Sequence, residues 1–191
     1  MRALAAIVVV LLAAAASQRL LAGDDATLGD GVATAGMERY EIQPGRGIGP
    51  VRIGMTRAAA EQAMKASGQA VDSFVRVQKG PPVLAMHGNA FQVFFDDTDR
   101  VEAVEVTGVA GDRQPLGDKP PFAALYRDVD VFRTRAADLV AVVSRDAPPD
   151  RAAAEIPGVT FEFPARGLSL WRQTEEETPY FETVSVARAR R

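Results

Sequence analysis

The chain has 191 residues with a net charge of −3, 47% hydrophobic and 25% charged residues, the size and balance of one ordinary globular domain or of two small repeats sharing a core. Without a basic stripe, nucleic acid is excluded as an expected partner. The lack of cysteine excludes disulfides, thiolate nucleophiles and cysteine-type zinc sites. In chain order, Arg2 and the apolar run from Ala3 to Ala16 read as an export signal, with Ala14-Ala15-Ala16 as a small-residue cleavage site before Ser17. The run is shorter than the roughly 20 residues that span a bilayer, so no stable membrane insertion is expected beyond the cleaved signal (residues 1–16). Residues 17–39 read as a flexible spacer, low in large apolar groups. Met37 lies just before the first strand-like residues at Glu38-Arg39-Tyr40-Glu41-Ile42, and a start there would make the protein cytoplasmic.

Residues 40–107 form the first of two expected units. Pro44-Gly45-Arg46-Gly47-Ile48-Gly49-Pro50 is a turn-rich lead into a short strand at Val51-Arg52-Ile53. Thr56 is a natural N-cap for a helix that runs to about Ser67 and stops at Gly68, with Ala60, Ala63 and Met64 on its apolar face. Strands are expected at 73–77, 83–86, 91–95 and 101–106, the last two joined through Asp96-Asp97-Thr98-Asp99-Arg100. Residues 108–121 read as a linker. The second unit, 122–187, repeats the order: a strand at 129–132, a helix from Thr134 to about Arg145, then strands at 159–163, 168–172 and 181–186. The second helix is apolar on most sides, through Leu139, Val140, Val142 and Val143, and is expected to be the more buried. Residues 188–191 form a basic tail, read as a frayed terminus. The expected fold is therefore α+β: a tandem repeat of a helical segment on an antiparallel sheet, two copies sharing one core.

Candidate chemistry is sparse. Gly45-x-Gly47-x-Gly49 lacks the third-glycine spacing and the following helix of a dinucleotide loop, and reads as a turn. His87, the single histidine, sits in the turn His87-Gly88-Asn89, where a solvated surface group is the simpler reading than a general base. Asp96, Asp97 and Asp99 lack the twelve-residue calcium-loop pattern. No catalytic, cofactor-binding or metal-binding residue is assigned, and the chain is not expected to be an enzyme; a carboxylate-based hydrolase is the remote alternative. Strand alternation places Phe91, Val93, Phe95, Val104 and Val106, and in the second unit Phe161, Phe163, Leu168, Leu170, Val184 and Val186, on the core side. The same alternation turns Phe94, Trp171 and Phe181, and by extension Phe74, to the outer face beside Ser169, Thr183 and Ser185. Several aromatics on one face make it the expected contact surface for another protein.

Gly49-Pro50-Val51-Arg52-Ile53-Gly54-Met55-Thr56-Arg57-Ala58, with Gly68 after the helix, resembles the repeat unit shared by β-lactamase-inhibitor proteins and the small outer-membrane assembly lipoproteins. Phe95-Asp96 with Arg100-Val101-Glu102, and Leu170-Trp171-Arg172 with Phe181-Glu182-Thr183-Val184, resemble most closely the corresponding words of uncharacterised proteins of high-GC bacteria. The resemblance implies the helix-on-sheet tandem and a role in binding another protein. Neither the inhibitors' disulfides nor the lipoproteins' lipidated cysteine has a counterpart, and no contact residue carries over. The expected function is an exported, non-enzymatic protein-binding module, secreted or at the cell envelope, inhibitory or structural. The alternative is a cytoplasmic immunity or regulatory protein starting at Met37.

Overall fold

The computed structural model describes residues 38–74, 83–108, 122–150, 158–173 and 179–190. Three strands open the described chain, β1 (Glu38–Gln43), β2 (Gly47–Ile48) and β3 (Val51–Arg52), followed by helix α1 (Arg57–Lys65). Strands β4 (Asp72–Phe74), β5 (Val83–Met86), β6 (Phe91–Phe95) and β7 (Val101–Thr107) come next. After them run β8 (Phe122–Tyr126), β9 (Val129–Asp130), helix α2 (Ala136–Ser144) and β10 (Thr160–Phe163). A single 3-10 turn (Pro164–Arg166), β11 (Leu168–Trp171) and β12 (Thr183–Ala187) complete the order.

These strands form two sheets. One has seven antiparallel strands in the order β10-β11-β12-β7-β6-β5-β4; the other has five in the order β3-β2-β1-β8-β9. The expected α+β tandem is thereby corrected. Among the described residues the protein is mainly β, its two α-helices are nine residues each, and the halves do not form helix-on-sheet units. Instead β1 and β8, one from each half, pair in parallel from Glu38↔Phe122 to Glu41↔Leu125. Periodicity could not reveal β8, because Phe122-Ala123-Ala124-Leu125-Tyr126 is apolar throughout and shows no alternation. A strand buried on both faces has none.

The seam of the larger sheet is β7 against β12, with Val104↔Val186 and Val106↔Val184 in register. These four valines are buried with Phe91, Val93, Phe95, Phe163, Leu168 and Leu170, so the face assigned to the core is the buried one; of that set only Phe161 is partly exposed. Tyr40, Ile42 and Ile48 from the smaller sheet join the same cluster. α1 packs Ala60 and Met64 inward. α2 buries Ala136, Leu139 and Val143 but leaves Ala137 and Ala141 in solvent.

The helix starts differ. Thr56 caps α1, its hydroxyl accepting from the Ala59 amide at 3.3 Å. Thr134 does not cap α2: the residue at that place is Arg135, with no side-chain cap, and the Pro179 carbonyl accepts from the Ala136 amide at 2.6 Å. A distant strand lead-in has replaced the local cap, and matching the two copies by sequence hid this.

Candidate functional site

The aromatics expected on the outer face are not brought together. Phe181 is fully buried and meets Phe161 edge-on at 5.5 Å. Trp171 on β11 and Phe94 on β6 are half-buried, but β12 and β7 lie between their strands. Three strand spacings separate them by roughly 14 Å, before the offset along the strands is added. Phe74 pairs through its backbone with Val83 on β5. Between the two aromatics the face is polar and partly buried, with Thr183 and Glu105 both buried, and on the far side of Trp171, Ser169 donates to Glu162 at 2.6 Å. The spacer lies outside the described residues except Glu38 and Arg39, and so does the linker except Gly108.

The other motifs resolve into architecture. A Cβ on Gly47 would lie 2.0 Å from the Val51 carbonyl oxygen, and one on Gly49 would strike the Tyr40 ring at 2.6 Å. The glycine run therefore closes the β2–β3 corner on Tyr40. Asp96 Oδ1 accepts from the Thr98 amide, the Thr98 hydroxyl and the Arg100 amide, at 2.9, 2.7 and 3.1 Å, and holds the β6–β7 turn. These bonds keep its carboxyl below the usual range, the Thr98 hydroxyl contributing most. Asp99 pairs with Arg57 at 2.6 Å. Among the described residues no group of three histidine or carboxylate side chains is arranged to hold a metal.

Two tyrosine centres stand on the parallel pair β1 and β8. In the first, the Tyr40 hydroxyl lies 2.8 Å from His87 Nε2, with Glu38 Oε2 3.6 Å from the same nitrogen. The rings of Tyr40 and Phe122 pack on His87 at 5.7 and 4.9 Å between centroids, and its side chain is only 1% exposed. His87 is therefore interior, not the solvated turn residue expected, although its backbone does sit in a turn at φ 55°. Burial pushes its pKa down, against the opposing pull of Glu38, so the neutral ring is favoured. Burial first, and then the Glu38 carboxylate, push the Tyr40 phenol far up. Sealed by rings, this centre is built for packing.

The second centre is open. Tyr126 at the end of β8 donates to Asp146 Oδ2, which also accepts from Arg166 Nη2 at 3.3 Å, while Arg127 Nη2 lies 2.8 Å from Asp146 Oδ1. Chiefly through the Tyr126 bond, with the two guanidinium groups adding to it, the Asp146 carboxyl is held below the usual range. Arg127 and Asp128 form the β8–β9 turn at φ 50° and 64°, left-handed values that a non-glycine residue adopts at a cost of about 1–2 kcal/mol each. Beside them opens a cleft of about 440 Å³ lined by Glu41, Gln43, Arg46, Tyr126, Arg127 and Arg166, with Ile42, Pro44, Ala165 and Ala189 completing the wall. Four chain-distant segments converge there: the β1–β2 turn, the β8–β9 turn, the 3-10 turn and the C-terminal tail. The tail is not frayed at this point, since the Arg190 amide donates to the Pro164 carbonyl at 2.9 Å. Sequence reasoning missed the cleft because its arginines are spread over 120 residues in three unrelated turns. Each, read alone, is a solvated surface charge.

No protein-family model, no curated protein and no solved structure matches the chain.

Proposed function

We propose that the protein is a non-enzymatic binding module for another protein, and that the cleft beside Tyr126 is its contact point. The observation that carries this reading is the convergence of four segments on an open, polar wall whose carboxylates are already engaged. Asp146 is held by Tyr126, Arg127 and Arg166, and Glu41 accepts from Gln43 at 2.7 Å. A general base needs a proton affinity near the working pH; Asp146 is pushed the other way. The wall therefore offers oriented donors rather than a proton acceptor. The apolar leader supports a secreted or envelope location, with the cytoplasm as the alternative if translation starts at Met37.

The test is co-purification from the native host. A partner retained by the native protein and by Trp171→Ala, but lost from Arg46→Gln/Arg127→Gln, supports the cleft. Retention by the double variant refutes it. The mass of the mature chain decides location, a start near Ser17 meaning export and one at Met37 meaning none.

A further inference from the structure

We infer that the cleft recognises carboxylate groups, and that the partner presents them on an acidic segment. This rests on the reading of the cleft as the contact point and adds the chemistry of what enters it. Arg127 and Arg166 each commit one N–H to Asp146, whereas a guanidinium carries five donors in a planar fork. Arg127 remains 58% exposed and Arg166 37%, so much of each fork is accessible. Arg46 also lines the cleft; its backbone is tied to Gln43 and Ile53, while its guanidinium makes no hydrogen bond or ion pair among the described residues. The three turns thus present one unused guanidinium and two partly used ones to the same space.

Asp146 shows which ligand suits that space. Its carboxylate is already gripped from two sides by guanidinium groups and once by a phenol, the geometry an incoming carboxylate would meet. Charge makes the same choice. Three arginines stand against Glu41 in the wall and Asp146, the partner of two of them, which leaves a single positive charge in excess. One entering carboxylate balances that excess while the rest of an acidic segment stays outside in water, whereas a phosphate dianion would carry its whole charge into the cleft. The site is also a positive island on a chain of net charge −3, so it steers an acidic group toward itself at low salt. An open cleft of this size takes a protruding side chain or chain end rather than enclosing a whole ligand.

Calorimetric titration of the full chain with an acetylated, amidated tri-glutamate peptide tests this, with the tri-glutamine peptide and inorganic phosphate as comparisons. The expected result is binding of the glutamate peptide alone, weakened about tenfold or more by Arg46→Gln and by salt raised from about 50 to about 300 mM. Arg46→Gln and Arg127→Gln change exposed groups, so an unaltered melting curve accompanies the loss. Equal binding of both peptides, no binding of either, or tighter binding of phosphate overturns the inference. If the native partner is lost from the arginine variants while the peptides behave alike, the ligand class is wrong and the contact point stands. If the partner is kept, the contact point itself falls.

Discussion

Tyr40 and Tyr126 stand on neighbouring parallel strands, both nearly inaccessible, both with phenols pushed upward by burial and by a carboxylate. They differ in what lies beyond the hydroxyl. Beyond Tyr40, itself backed by the glycine corner, comes a neutral imidazole closed in by the Tyr40 and Phe122 rings. Beyond Tyr126 comes an ionised carboxylate flanked by arginines that reach water. A charged partner cannot be sealed without a large desolvation cost, whereas a neutral one can. The pair shows how one residue type serves a sealed, packed centre on one strand and an open, charged one on its neighbour, with the partner's charge deciding which.

The largest separation between the centres is expected from Tyr40→Phe. It leaves a sealed His87 nitrogen without its hydroxyl and should cost about 1–3 kcal/mol in denaturant unfolding. A change below about 0.5 kcal/mol would mean that the nitrogen finds another partner.

Acidity reads the same centre through its histidine. The unfolded ring takes up a proton near pH 6.5 and the folded ring only below that, so stability is lost as pH falls below about 6.5. Unfolding midpoints of the native chain and His87→Gln should therefore converge between neutral pH and about pH 5. Parallel curves would show that Glu38 offsets burial completely.

Tyr126→Phe should cost less, about 1 kcal/mol or under, because Asp146 keeps both guanidinium partners and access to water. Its effect belongs in the titration with acidic peptide, where loosened arginines should weaken binding. A stability loss as large as that of Tyr40→Phe would erase the distinction between the two centres.

The smallest effects separate the helix starts. Thr56→Ala should cost about 1 kcal/mol as a lost cap, and Thr134→Ala should stay within about 0.5 kcal/mol, since Pro179 does the capping. Equal losses would restore the symmetry that the sequence suggests.

Legibility followed the range of the interaction. The turns at Asp96 and Gly47, the cap at Thr56 and the inner faces of β6, β7, β11 and β12 could be read locally, because periodicity and turn chemistry act within a few residues. The parallel pairing of β1 with β8 could not, since its partners are more than 80 residues apart. Nor could the cleft: no local signal links Arg46, Arg127 and Arg166. The aromatic face failed for a related reason. Alternation says which side of a strand Phe94 and Trp171 occupy, and strand order, which alternation cannot supply, sets how far apart they stand. Phe181 precedes β12 itself, where the period-two rule has no hold.

The β7–β12 seam also sets a clock. β7 finds its central neighbour only in a segment made 76 residues later, from Thr107 to Thr183. At about 5–20 residues per second the ribosome needs roughly 4 to 15 s to deliver it. Throughout that wait the hydrogen-bonding edge of β7, with Val104 and Val106 beside it, has no native strand to receive it. Birth, not maturity, is when this protein is most exposed to wrong company, and slowed translation between β7 and β12 would lengthen that exposure in direct proportion.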